Sequence, residues 1–149
     1  MYVEQVFDEI IYPNLKEYIE SNNTYSAKVV KVDVQDSKVF PIIPIKLLSI
    51  TNRYNNLSYG EETYSFGIEI DIYAIDKTIN NEKVSKKMIC DNLTELIVNY
   101  LKENYHFIIK INHNAPNMDD EVHRTIIRLS GVLDTKYGDN NLVIYPTLL

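Results

Sequence analysis

The sequence predicts an α+β domain: a mostly antiparallel sheet with two amphipathic helices packed on one face. Three observations lead there. Apolar residues recur every three or four positions near the start and again in the middle of the chain. A strict two-residue alternation runs between them. The strand-like segments come in consecutive groups, where a parallel sheet would interleave each with a helix.

The first element runs from about Tyr2 to Glu20. Val3, Val6, Phe7, Ile10, Ile11, Leu15, Tyr18 and Ile19 form its apolar stripe. Pro13 lacks an N–H and clashes with the preceding turn, which predicts a kink or two short helices. Ser21-Asn22-Asn23-Thr24 ends the segment. Ala27–Val34 then reads as a strand, with Val30, Val32 and Val34 on one face. Pro41 and Pro44 each remove a ladder donor, so the run Val39–Ile50 is expected to enter the sheet late or lie on an edge, with a strand from Ile45 to about Asn52.

The clearest strand is Glu62–Asp76. Tyr64, Phe66, Ile68, Ile70, Ile72 and Ala74 share one face, and Ser65, Gly67, Glu69, Asp71 and Tyr73 the other. Such alternation is expected when one face packs on a core and the other meets water or a partner. Asn80-Asn81-Glu82 offers an N-cap and a first-turn acid to a helix from about Glu82 to Asn104, striped by Ile89, Leu93, Leu96, Ile97, Tyr100 and Leu101. Phe107–Ile111 reads as a short strand and His113–Asn117 as a loop. Val122–Thr135 is a long strand, and Leu142–Tyr145 closes the chain after the turn Tyr137–Asn140.

At 149 residues the chain suits a single domain, residues 1–149, and its 45% hydrophobic content can furnish a core. A net charge of −6 and the lack of any basic block argue against grip on nucleic acid through phosphate neutralisation. A single cysteine excludes an intrachain disulfide and a Cys-rich zinc site, and fits synthesis in a reducing cytoplasm. No secretory leader and no membrane-spanning run are visible. Ile, Asn, Lys and Tyr are over-represented while Arg occurs only three times, the mark of an A/T-rich genome.

Few residues suggest chemistry. Glu69 and Asp71 on one strand face, with Asp76-Lys77 beyond, could belong to a metal-dependent nuclease, but the Glu-x-Lys strand such a site needs is missing; a solvated face is expected. His113, Asp119, Asp120, Glu121 and His123 lie close in sequence, yet lack a metal-binding register and read as a polar loop. Cys90 sits near the apolar side of the long helix, with only Lys86 and Lys87 nearby, and reads as a small core residue. Ser130-Gly131 is in no nucleophile elbow, and four glycines make no phosphate loop. No catalytic, cofactor-binding or metal residue is therefore assigned, and no enzyme is expected. Among twelve tyrosines, Tyr54, Tyr59, Tyr137 and Tyr145 fall near turns or strand ends, where tyrosine serves protein interfaces well.

The order of elements, the strand Glu62-Thr-Tyr-Ser-Phe-Gly-Ile-Glu-Ile-Asp-Ile-Tyr-Ala and the closing strand His123-Arg-Thr-Ile-Ile-Arg-Leu-Ser-Gly-Val-Leu-Asp together resemble the tail-terminator and tail-completion proteins of long-tailed bacteriophages, with their prophage and bacteriocin relatives. The resemblance implies a non-catalytic virion subunit, made in the host bacterial cytoplasm and located in the tail. It would form a homo-oligomeric ring, typically a hexamer, on the last ring of tail tube protein. That ring would stop tube polymerisation and present the joining surface for the neck or head connector, with DNA passing through unbound and no membrane involved. A head–tail connector or neck role, and less readily a metal-dependent nuclease, are the alternatives. Two expectations follow from the ring: Tyr64–Asp76 supplies the intersubunit edge, and exposed Glu69, Asp71 and Asp76 repel DNA from the lumen.

Overall fold

A computed structural model describes residues 2–31, 39–56, 61–134 and 144–145. The fold is α+β, as the sequence predicts. The chain begins with α1 (Tyr2–Val6), continues through a π-helical turn (Phe7–Ile11) and passes into α2 (Tyr12–Asn22). Proline explains the turn. Pro13 sits in the first turn of α2, and the widened π turn just ahead of it, closed by Tyr12 N–H donating to the Phe7 carbonyl, absorbs the register that the missing donor disrupts. Asn23 then stops the helix: its amide donates to the Ile19 carbonyl at 2.6 Å while its Oδ1 accepts from Tyr25 N and Ala27 N.

The strands are β1 (Lys28–Val30), β2 (Ile42–Asn56), β3 (Glu61–Ala74), β4 (Lys77–Ile79), β5 (Glu82–Val84), β6 (Ile108–Ala115), β7 (His123–Asp134) and β8 (Ile144–Tyr145), with α3 (Lys86–Asn104) between β5 and β6. The main sheet runs β1-β2-β3-β7-β6, and β8 also pairs with β7. Every pairing is antiparallel except β1 with β2. β3 pairs along its length with both β2 and β7. It is the middle of the sheet, which corrects the expectation that it forms an intersubunit edge. Among the described residues, the open margin on the far side is β6. Its ladder slips between Asn112 and Ala115, and Pro116 follows directly.

Pro44 lies inside β2, so that strand starts earlier than its prolines suggest; the parallel partner β1 ends at the Val30↔Pro44 register, where the missing donor falls. Beyond Val30, the predicted strand residues Val32 and Val34 lie outside the described residues, as do Thr135 and the Tyr137–Asn140 turn. His113, Asn114 and Ala115, expected in a loop, extend β6. The pair Asn80-Asn81, expected to start a helix, instead turns a small hairpin between β4 and β5. Both residues have positive φ (52° and 65°), the signature of a type I′ turn. Helix α3 begins four residues later than expected, after Ser85, whose hydroxyl accepts from Met88 N at 3.2 Å.

Both long helices pack on one face of the sheet. Leu15 and Ile19 of α2 and Ile89, Cys90, Leu93, Ile97 and Leu101 of α3 join Ile43, Ile45, Phe66, Ile68, Ile70, Ile72, Ile127, Leu129 and Leu133 in one core. Tyr18 stacks on Tyr100 at 4.5 Å between ring centroids, and Tyr105 and Phe107 extend this aromatic row to Phe66. Burial, then the neighbouring Tyr100, pushes the Tyr105 phenol up to about 12. Among the described residues no helix is long and apolar enough to cross a membrane.

Candidate functional site

The opposite face of the sheet carries the charge. Alternation along β3 sends Gly67, Glu69, Asp71 and Tyr73 there, and alternation along β7 sends Arg124, Ile126, Arg128, Ser130 and Val132 to join them. Register then aligns one rung across four strands: Lys46 of β2 faces Glu69 of β3, which faces Arg128 of β7, which faces Lys110 of β6. Lys46 Nζ lies 3.0 Å from Glu69 Oε2, and Arg128 Nε donates to Glu69 Oε1 at 3.0 Å. One carboxylate thus holds two cations, and the third cation of the rung, Lys110, has no ion-pair partner among the described residues.

A second pair lies diagonally behind the rung. Arg124 Nη2 donates to Asp71 Oδ2 at 3.1 Å, and the Tyr73 hydroxyl approaches the same oxygen at 3.4 Å. Arg124 also lies over the Tyr73 ring, 5.5 Å from its centroid. Asp71 Oδ1 and Arg124 Nε are buried without a hydrogen-bond partner.

Glu69 is 5% exposed and Asp71 2% exposed. The expectation of a solvated strand face, and of these two acids lining a lumen, is therefore corrected. A carboxylate left bare on this face would meet water; here each is drawn against arginine from β7 and covered. Their environments also differ. Burial tends to raise the Glu69 pKa, but its bonds to Lys46 and Arg128 win and hold it below its ordinary value. Burial dominates at Asp71, the charge on Glu69 adds to it, and Arg124 only partly offsets them, so its pKa is raised. Asp76 is exposed, and its Oδ1 accepts from Lys86 N at 2.8 Å.

The remaining candidates scatter into local roles. His123 Nε2 bonds the His113 carbonyl at 2.8 Å, and His113 Nδ1 lies 3.8 Å from Asp91. Asp119 Oδ1 accepts from Glu121 N at 2.9 Å, closing a turn between β6 and β7. A shallow polar cleft of about 210 Å³ beside this turn is lined by Lys86, Asn114, Asn117, Asp120, His123 and Arg124, among others. No group of three or more His, Cys, Asp or Glu side chains among the described residues could hold a metal ion.

Cys90 is buried, its sulfur 3.7 Å from the carbonyl oxygens of Ile72 and His123; burial pushes its thiol up to about 11. That is the setting of a core residue, since a nucleophile needs thiolate. Ser130 and Gly131 lie within β7 as ordinary strand residues. Tyr54 and Tyr145 fall in β2 and β8; Tyr59 and Tyr137 lie outside the described residues.

Sequence reasoning saw the acids of β3 and missed their partners. The missing signal was the four-residue spacing of Arg124 and Arg128 in a strand, which puts both guanidinium groups on one face. No protein-family model matches the chain, and no curated protein matches it.

Proposed function

We propose that the chain is a structural virion protein that caps the end of a phage tail tube as a ring, stopping polymerisation and offering the joining surface for the head. The observation that carries this reading is the two-sidedness of the sheet. One face of the sheet is sealed by α2 and α3, while the other carries the charged rung Lys46–Glu69–Arg128–Lys110. A subunit that closes a ring head to tail needs two unlike surfaces of this kind.

Capping requires no bond making. One ring face matches the growing tube end, and the other lacks the tube's own docking surface, so addition stops. The neck or connector protein then binds that outward face, and DNA passes through the ring without specific contacts. Glu69 and Asp71 are engaged with cations, so repulsion of DNA falls to other acids, the exposed Asp76 among them.

The deciding experiment is electron microscopy of particles assembled without this protein. Abnormally long tubes are the expected result. Tubes of normal length that fail to join heads would assign the neck role instead, and normal, complete particles would sink both. Magnesium-dependent DNA cleavage abolished by Asp71→Ala would establish the nuclease alternative.

A further inference from the structure

The rung Lys46–Glu69–Arg128–Lys110 holds three cations around one anion, on a chain whose net charge is −6. Lys110 and Arg128 stand directly opposite each other on paired strands. Like charges so placed repel and weaken the sheet unless an anion sits between or above them. Arg128 Nε is engaged with Glu69, yet the side chain is 62% exposed, leaving the outer end of the guanidinium in water. Next to this rung, a bulge in β2 between Leu47 and Ile50 lifts Leu48 out over Gly67; Leu48 is 39% exposed. The absence of a side chain at Gly67 lets Leu48 lie close against β3. The patch is thus a short row of positive charge with an apolar floor at one side.

The same chain carries a matching piece. The turn between β6 and β7 presents Met118, fully exposed, followed by Asp119, Asp120 and Glu121, all exposed. None of these three carboxylates has an ion-pair partner among the described residues. The turn is already ordered: Asn117 Nδ2 donates to the carbonyls of Asp119 and Val122, Val122 N donates to the Asp119 carbonyl, and Lys86 Nζ bonds the Asp120 carbonyl at 2.6 Å. A preformed turn loses little entropy on docking.

We propose that the acidic, Met118-tipped turn of one copy docks on the Lys46–Arg128–Lys110 rung of the next, with Met118 against the exposed side of Leu48. Asp119, Asp120 and Glu121 supply the anion that Lys110 lacks and meet the outer end of the Arg128 guanidinium left in water, and the flexible thioether packs on the exposed side of Leu48. The contact joins two different surfaces, so it propagates head to tail, and it rests on the capping-ring reading for its closure.

The test uses chains with one cysteine added beside the buried native Cys90. Leu48→Cys and Met118→Cys proteins, mixed and mildly oxidised, should form a mixed disulfide dimer at least tenfold faster than either protein alone. Sedimentation of the unmodified chain should show association that weakens at least tenfold on raising salt, as screening of the rung requires. Lys110→Glu should abolish association, as should Asp120→Lys, and combining the two in one chain should restore it. Lys110 and Asp120 are both exposed, so folding is not at stake.

Monomer at all concentrations up to about 1 mM overturns the proposal. So does association that ignores both charge reversals, or cysteine pairs that form without preference. Salt-sensitive retention of duplex DNA lost in Lys110→Glu, with no self-association, would assign the rung to a nucleic-acid backbone and overturn it equally. Abnormal tube lengths in the absence of the protein, together with any of these failures, would leave capping standing and this contact refuted.

Discussion

Arg124 and Asp71 meet two residues out of register: Asp71 lies opposite Ile126 in the ladder, Arg124 lies opposite Tyr73, and the guanidinium crosses the offset to reach Oδ2 at 3.1 Å. The diagonal geometry gives a single-pronged contact, which is why one atom on each side has no partner.

Removing the cation from this pair is expected to be costly. Arg124→Met leaves a carboxylate that is 2% exposed without its counter-ion and should destabilise the fold by about 3 kcal/mol. Adding Asp71→Asn in the same chain should recover much of that loss. Urea unfolding of the two single variants and the double variant measures the coupling.

Asp71→Asn alone should show a pH signature. The native pKa of Asp71 is raised, so its contribution to stability is full below the unfolded pKa and is lost as pH rises through the native one. The asparagine variant has no such loss. Relative to the unmodified protein, its urea midpoint should improve as pH is raised from about 3 to about 6.

Glu69→Gln should behave in the opposite sense. The native pKa of Glu69 is lowered, so its contribution is present above the unfolded pKa and is lost as pH falls through the native one. The glutamine variant should be less stable at pH 7, and the gap should narrow as the medium is acidified below about pH 4. Two carboxylates a dipeptide apart would thus give pH profiles of opposite slope, measured by the same urea titrations.

The hairpin turn offers a simple gain. Asn81 holds φ at 65°, a conformation glycine adopts without side-chain strain, so Asn81→Gly should change stability by no more than about 0.5 kcal/mol. Asn81→Val should cost about 1–2 kcal/mol. Thermal melts distinguish these outcomes.

Cys90, with its thiol pushed up to about 11 and its sulfur buried, should react with a thiol-specific disulfide reagent at pH 8 at least a hundredfold more slowly in the native protein than after unfolding in urea. Fast native labelling would place the sulfur at the surface.

The parts of this architecture that depend on local periodicity can be read directly along the chain. The stripe from Phe66 to Ala74 marks the buried face of β3, and Ile89, Leu93, Ile97 and Leu101 mark the buried face of α3. What escaped was decided by residues distant in sequence. Whether Glu69 faces water depends on Arg128, 59 positions away, and Asp71 on Arg124, 53 positions away. Strand order has the same origin: nothing within Tyr64–Asp76 says that β2 and β7 flank it on both sides. Asn80-Asn81 failed for a different reason. Asparagine both caps helices and tolerates positive φ, and Ser85 was the better cap.

The slipped ladder at Asn112–Ala115, with Pro116 beyond it, gives the outer margin of the sheet a further meaning. A smooth, well-registered border would invite another backbone to zip on indefinitely, as in fibrils; an irregular one ending in proline refuses that template. Growth by main-chain stacking is discouraged at this border. Association at this border is then left to its side chains, so what binds there can be rewritten by substitution without disturbing the scaffold.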